Sequence, residues 1–350
     1  MTWTQQALED FLILKRGHDL PESRRRDGTV PVISSSGLTG WHDEARAKGP
    51  GVVTGRYGTI GEVFYVEGDY WPLNTALYVV DFKGNDPRFA AYLLEIALKS
   101  YQSDKAAVPG VDRKVLHKLQ ISAPSVPIQR KVVDFLSAYD DLIENNGRRI
   151  ALLEEAARQL YREWFVRLRF PGYEHAKFVN GLPEGWTRCR VGDRVTLRYG
   201  KALKNDDRVA GEIPVFGSSG VVGFHDTALS PGPGIIIGRK GNVGSLYWHD
   251  GRFFPIDTVY FTSPAETDIY LYYALSGAGF QSTDGAVPGL NREFAHSRII
   301  VIPEYRIHQE FVAFAASAKN QVSVLMRHNE KLRAARDLLL PRLMSGELVV

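Results

Sequence analysis

The side chains best suited to chemistry recur in pairs. His42-Asp43 returns as His225-Asp226, an imidazole beside a carboxylate, as in a general-base dyad. No serine or cysteine in an elbow-type glycine context accompanies either pair, so the nucleophile such a dyad would serve is missing. A turn in which the His or Asp satisfies backbone groups is the expected role. The nine histidines form no His-x-x-x-His pair suited to zinc, and the single cysteine, Cys189, excludes a disulfide framework or a multi-thiolate metal site. There is no Gly-x-x-x-x-Gly-Lys-Ser/Thr loop for an ATP motor. No Asn-Pro-Pro-aromatic or Asp-Pro-Pro-aromatic run suggests an amino-methyltransferase, and no Pro-Asp dipeptide leads a nuclease-like cluster. Gly55-x-x-Gly58-x-x-Gly61 has dinucleotide-fingerprint spacing, but a β-like run, Glu62 to Val66, follows it where a helix should open. No catalytic residue, cofactor or metal site is therefore expected.

Binding remains, and the repeat that doubles His-Asp organises it. Residues 28–43 read against 211–226 at an offset of 183. The same offset carries Trp3 onto Trp186, Gly49-Pro50-Gly51 onto Gly232-Pro233-Gly234, and residues 55–61 onto 238–244. Ala107 to Arg113 matches Ala286 to Arg292 at an offset of 179, so four residues are lost between. The copies are domain-sized, too long for a solenoid repeat. Residues shared by both copies are scaffold or generic phosphate binders; matched positions that differ are candidates for reading different sequences. Arg56 and Arg239 are shared and sit in glycine-rich turns that let backbone approach a ligand. Beside them Tyr57 faces Lys240 and Thr59 faces Asn242; Lys and Asn can pair guanine and adenine edges. Ser35, Ser36, Ser218 and Ser219 could donate to phosphates or cap a turn, and Arg25 centres a basic trio, Arg24 to Arg26, facing Asp207-Arg-Val209. Arg113 and Arg292 are expected at the junction between each unit and its following helix.

These side chains need elements to hold them. The chain has 350 residues, a formal charge of +3 and ordinary globular composition, which suits two domains. Short apolar runs bounded by Gly, Pro, Asp and Asn predict strands at 51–54, 62–66 and 76–80, repeated at 235–237, 245–248 and 259–261. Helices are expected over 87–101 and 267–275. Two longer segments carry a coiled-coil period: Val132, Phe135, Tyr139, Leu142, Ile150, Leu153, Ala157, Leu160 and Trp164 in the first, and Ile307, Phe311, Phe314, Ala318, Val322, Leu325, Leu332 and Leu339 in the second. Asn146 and Asn329 fall mid-seam, either fixing register or, in Asn146-Asn-Gly, breaking the helix. The acids of the first helix, Asp134, Asp140, Asp141, Glu144, Glu154 and Glu155, are read as facing protein partners. No apolar run is long enough to span a bilayer, and the opening residues lack a signal-peptide pattern. A cytoplasmic protein is expected.

Here a family resemblance takes hold. Arg56-x-Gly58-x-x-Gly61, Trp71-Pro-Leu-Asn-Thr75, Val108-Pro-Gly110 and Pro127-Ile-Gln-Arg130, taken in order, resemble the specificity subunit of a type I restriction–modification system. Pro183-Glu-Gly-Trp186, Gly238-Arg-Lys-Gly241 and the stretch Leu338 to Glu347 repeat the pattern. The span Asn146 to Phe165 resembles the family's central spacer helix. The resemblance implies a mixed α/β fold: two tandem β-rich target-recognition domains (1–125 and 171–304) separated by two long antiparallel coiled-coil spacer helices (126–170 and 305–350), with a pseudo-twofold internal repeat. It implies a non-catalytic subunit whose partners are double-stranded DNA, two adenine-N6 methyltransferase subunits and ATP-dependent motor–nuclease subunits, with no membrane. The competing readings are a related bifunctional restriction system, an enzyme in its own right, and a duplicated adaptor for a non-DNA partner.

Overall fold

The computed structural model describes residues 3–56, 61–99, 112–282 and 289–349. The chain divides into two compact units. One joins Met1–Gly147 to Arg327–Val350, and the other is Arg148–Met326. The expected linear segments are thus regrouped, because each unit takes in part of both long helices.

In the first unit a four-stranded sheet runs in the order Ile13–Arg16, Ala76–Asp81, Gly51–Gly55, Val63–Val66. Gly51–Gly55 lies between two neighbours and is buried throughout. This is why it reads as a continuous small or β-branched run with no polar alternation. A second sheet pairs Val30–Ser34 with the hairpin strand Gly37–His42 and, in parallel, with Trp71–Pro72. Helix Pro87–Lys99 begins where Asp86 Oδ1 accepts from the N–H groups of Arg88 and Phe89, which satisfies donors the helix itself cannot. It buries Phe89, Leu93 and Leu94 in a core shared with Leu14, Val52 and Leu77. Val132 and Leu136 from the first long helix, and Leu340, Leu343 and Met344 from the second, complete that core.

The second unit repeats the strand pairings of this construction, with a shorter helix, Ile269–Ser276, in place of Pro87–Lys99. Val30 pairs with His42 and Ile213 with His225; Gly51 pairs with Val66 and Gly234 with His249; Val53 pairs with Tyr78 and Ile236 with Phe261. Both hairpins shift register at the same place, between Val32 and Ile33 and between Pro214 and Phe216. After the four-residue loss the pairing continues as Thr4 with Ala123 and Thr187 with Ile302. The core here gathers Ile235, Ile237, Tyr270 and Leu275 with Phe165 and Phe311 of the long helices.

The first long helix runs unbroken from Val126 to Tyr161, through Asn146 and Gly147, and continues as a π-turn over Arg162–Val166. The second spans Tyr305–Met344. The apolar faces differ in part from the expected seam. Phe135, Leu142 and Phe314 point outward, while Leu136 and Ala315 are buried. The period itself holds: positions 132, 136, 139, 143, 146, 150, 153 and 157 of the first helix and 311, 315, 318, 322, 325 and 329 of the second are buried or half-buried in alternating steps of four and three, with Leu136, Ile143 and Ala315 one residue beyond the expected Phe135, Leu142 and Phe314.

Candidate nucleic-acid interface

The site is clearest in the second unit. Strand Gly234–Gly238 ends in the turn 238–244, closed by Gly238 N–H donating to Ser245 O (2.8 Å) and Gly244 N–H donating to Gly238 O (2.9 Å). Ser245 Oγ donates to Ser218 O at 2.6 Å, and Tyr247 Oη to the same carbonyl at 3.3 Å. These bonds tie the serine hairpin turn to the glycine-rich turn. A Cβ on Gly241 would lie 3.2 Å from Ser218 Oγ, and Gly241 has φ +77°, so both the contact and the backbone favour glycine. Lys240 and Asn242 are exposed on this turn, and Ser219 is exposed on the hairpin beside it. Four predicted residues, Lys240, Asn242, Ser218 and Ser219, are therefore brought together.

Arg239 is anchored by its backbone, N–H to Thr258 O at 2.8 Å, and its Nη1 donates to Asp257 O at 3.0 Å. Its guanidinium lies over the Tyr199 ring, 5.1 Å from the centroid. Arg292 lies over the same ring at 5.0 Å. Tyr199 packs on Tyr260 (ring centroids 5.0 Å apart). Burial, with the Tyr199 hydroxyl beside it, pushes the Tyr260 hydroxyl up to about 12, against the opposing charge of Arg239. Arg292 opens the short helix Arg292–Ser297, so it sits by the recognition turns and not at the junction with the long helix. Tyr199 and Arg292 are the residues the sequence reasoning missed as site candidates. The usable signal was the pair of arginines at 113 and 292, kept on both copies of the Val-Pro-Gly turn.

In the first unit Arg56 keeps the same backbone bond, N–H to Thr75 O at 3.0 Å. Tyr57 and Thr59 lie outside the described residues. Ser35 and the exposed Ser36 form the hairpin turn, where Ser34 Oγ accepts from Ser36 N–H at 3.1 Å. Arg25 is half-buried, and its Nη1 donates to Thr39 O at 2.8 Å, inside its own hairpin. Arg208 repeats this in the second unit, donating to Val222 O at 2.7 Å. The recurrence gives Arg25 a structural duty that its place in a basic run did not suggest. The paired histidines also act structurally: His42 Nδ1 accepts from Arg26 N–H at 3.0 Å, and His225 Nδ1 from Val209 N–H at 3.1 Å.

The turn of the second unit thus presents Arg239, Lys240 and Asn242 on a backbone closed by its own hydrogen bonds. Comparison with known proteins sharpens the class. The family described as "Type I restriction modification DNA specificity domain" matches residues 1–155. The MjaIX specificity subunit of Methanocaldococcus jannaschii is 31% identical over 104 residues, 28% of this chain and 24% of that protein. A putative type I specificity subunit of Mycoplasma pneumoniae is 20% identical over 319 residues, covering 87% of this chain and 86% of its own. The crystal structure of a type I restriction–modification S subunit from M. genitalium superposes with a TM-score of 0.61 at 18% identity, over 98% of this chain and 96% of that one. The aligned stretches span about a quarter of the length of the two M. jannaschii relatives, 24% and 27%. The match to the type I restriction–modification specificity family thus covers residues 1–155 by sequence, and the fold over nearly the whole chain is similar to that of an S subunit.

Proposed function

We propose that this chain is the non-catalytic DNA-specificity subunit of a type I restriction–modification complex. Its two target-recognition domains, 1–125 and 171–304, each read one half of a bipartite, asymmetric DNA sequence. The single observation carrying this reading is a common scaffold with divergent turns. The strand registers of the two units agree pair by pair, whereas the side chains on the matched glycine-rich turns differ, Lys240 and Asn242 replacing Tyr57 and Thr59. A scaffold built twice for one purpose, with its exposed tips varied, suits two different base sequences. Arg56, Arg239 and the serine turns (Ser35, Ser36, Ser218, Ser219) then serve the phosphates, while Tyr57, Thr59, Lys240 and Asn242 serve the bases. Arg25 would touch DNA only beside its hairpin bond.

The two long helices act as antiparallel spacers in a pseudo-twofold arrangement that fixes the gap between half-sites. They also dock two adenine-N6 methyltransferase subunits, which carry the chemistry, and through the assembly the ATP-dependent motor–nuclease subunits. Leu142 and Leu338, 50% and 73% exposed on the two helices, are among the side chains such a partner would cover. Among the described residues no helix is long and apolar enough to cross a membrane, in keeping with work on DNA in the cytoplasm. Methylome sequencing of cells expressing this chain with its neighbouring methyltransferase tests the proposal. A split motif methylated at adenine is the expected result; no methylated adenine in any sequence context overturns it.

A further inference from the structure

In the second unit two guanidinium groups, Arg239 and Arg292, share one exposed ring, Tyr199, at 5.1 and 5.0 Å. The ring's electron-rich face offsets part of their mutual repulsion, and Arg292 Nε has a loose ion pair with Glu293 at 3.8 Å, on a side chain 80% exposed. Arg292 Nε is buried without a hydrogen-bond partner. The frame around the pair is rigid: Leu290 N–H donates to Arg239 O (2.8 Å), Tyr260 Oη to Leu290 O (2.9 Å), and Leu197 N–H to His296 Nε2 (3.1 Å). Two cations fixed at a surface with half of the intervening ring exposed to solvent (Tyr199, 49%) form a preorganised anion site.

The first unit keeps one bond of that frame and changes the ring. Leu14 N–H donates to His117 Nε2 at 3.0 Å, as Leu197 does to His296, so the short helix Arg113–His117 is pinned to the same strand. The position of Tyr199 is taken by Arg16, and that of Tyr260 by Leu77, which Arg16 faces in the register. By the repeat, Arg16, Arg56 and Arg113 stand at the positions matched to Tyr199, Arg239 and Arg292, with no aromatic residue at the positions of Tyr199 and Tyr260.

We propose that Arg239 and Arg292, held over Tyr199, bind DNA phosphates in the second recognition unit, and that Arg16, Arg56 and Arg113 form a three-cation counterpart in the first. This rests on the DNA-specificity reading above. The first half-site then contributes one more phosphate contact than the second, and position 16/199 sets the difference.

The test is the salt dependence of binding by the full chain assembled with its methyltransferase subunit, using a labelled duplex of mixed sequence. Each phosphate contact adds about 0.9 to the slope of log K against log salt. Arg239→Gln and Arg292→Gln should each flatten the slope by about 0.9, weakening all duplex sequences alike. Arg239→Lys and Arg292→Lys should keep it, which separates lost charge from lost fold. Arg16→Tyr should flatten the slope and Tyr199→Arg steepen it, each by about 0.9. Parental slopes in both Gln variants, or loss confined to one duplex sequence, overturn the phosphate assignment while leaving the specificity reading intact. A parental complex with no salt-sensitive binding overturns both.

Discussion

Asn146 Nδ2 donates to Asn329 Oδ1 at 2.9 Å, and Asn329 Nδ2 donates in turn to Ile143 O at 3.1 Å. Both side chains are buried, at 7% and 4% exposure. A seam of apolar residues can slide by a turn, but this amide pair is satisfied in one register only. Asn329→Ala should cost about 1–3 kcal/mol, because it leaves the buried Asn146 amide without its acceptor. The double variant with Leu at both positions should recover most of that stability while loosening register. Thermal unfolding of Asn146→Leu, Asn329→Leu and the double variant checks this; additive single effects would remove the coupling.

Arg336 Nη1 donates to Asp140 Oδ1 at 2.8 Å, and Tyr92 Oη donates to the other oxygen of the same carboxylate. Arg88 Nη2 reaches Asp141 at 2.7 Å. Two of the acids read from sequence as facing protein partners thus brace the first recognition unit against its own helices. Arg336→Gln should destabilise that unit by about 1–3 kcal/mol, since Asp140 loses its cationic partner in a half-buried setting. Denaturant unfolding gives the number, and a loss below about 0.5 kcal/mol would assign the pair to ordinary surface ion pairing.

Gly40 and Gly223 stand at φ +147° and +143° in the two hairpins, each directly over the arginine that crosses it. A Cβ on Gly40 would lie 2.8 Å from Arg25 Nη1, and the contact at Gly223 with Arg208 is closer still. Gly40→Ala and Gly223→Ala should each cost about 1–3 kcal/mol from backbone strain, and displace the arginine as well. In a unit of this size that lowers Tm by roughly 2–4 °C per kcal/mol. Equal shifts in the two variants are expected because the geometry is repeated. A neutral Gly40→Ala would show that Arg25 is free to leave its hairpin.

Stability should fall as pH drops below about 6.5. Burial, aided by the charge of Arg113 and opposed by Glu9, lowers His117 from its ordinary value of 6.5. Its Nε2 must stay unprotonated to accept the Leu14 N–H. Below 6.5 the unfolded chain takes up a proton that folded His117 resists, so the unfolded state gains. His18, lowered by burial and by Lys15 and Arg46, acts in the same direction. His117→Gln should therefore make the decline of Tm between about pH 7 and 5.5 shallower but not abolish it. An unchanged decline would detach His117 from the effect.

The strands were legible because each copy repeats a bounded apolar run. Val259–Phe261 was expected residue for residue, and Gly51–Gly55 to within one residue. The long helices were legible from their period and so was most of the face they bury, Val132, Ala157, Ile307, Phe311, Ala318, Val322 and Leu325 included, with misses of one residue at Phe135, Leu142 and Phe314. Phe135 and Leu142 fit a three-four alternation as well as Leu136 does, and only the neighbouring core of Leu340 and Leu343 selects Leu136. The site was half legible. Lys240 and Asn242 follow from the repeat, since matched turns with different tips can be read in one dimension. The Tyr199 stack was hidden because its three members lie far apart in sequence and meet only where the strand Arg198–Tyr199 pairs with Val259–Phe261. The hairpin bond of Arg25 was hidden for the related reason that a run of three arginines looks solvated until the carbonyl of Thr39 is seen beneath it.

The proposed division of base reading between the two units gives a last test. Lys240 and Asn242 lie on a turn that belongs wholly to the second unit, framed by Ser218, Thr258 and Gly289 of that unit. Exchanging them for the first copy's residues, Lys240→Tyr with Asn242→Thr, removes two polar groups able to pair base edges and leaves Arg239 and the serine turn in place. The methylated motif should then relax at one half only, with the other half and the gap unchanged. The loss at each affected base pair is expected to be about 1–3 kcal/mol, roughly 5- to 150-fold in preference. Sequencing of methylated adenines in cells carrying the exchanged chain resolves the outcome. If both halves relax together, the turn stabilises the whole reader; if neither does, base reading in the second unit belongs to other loops.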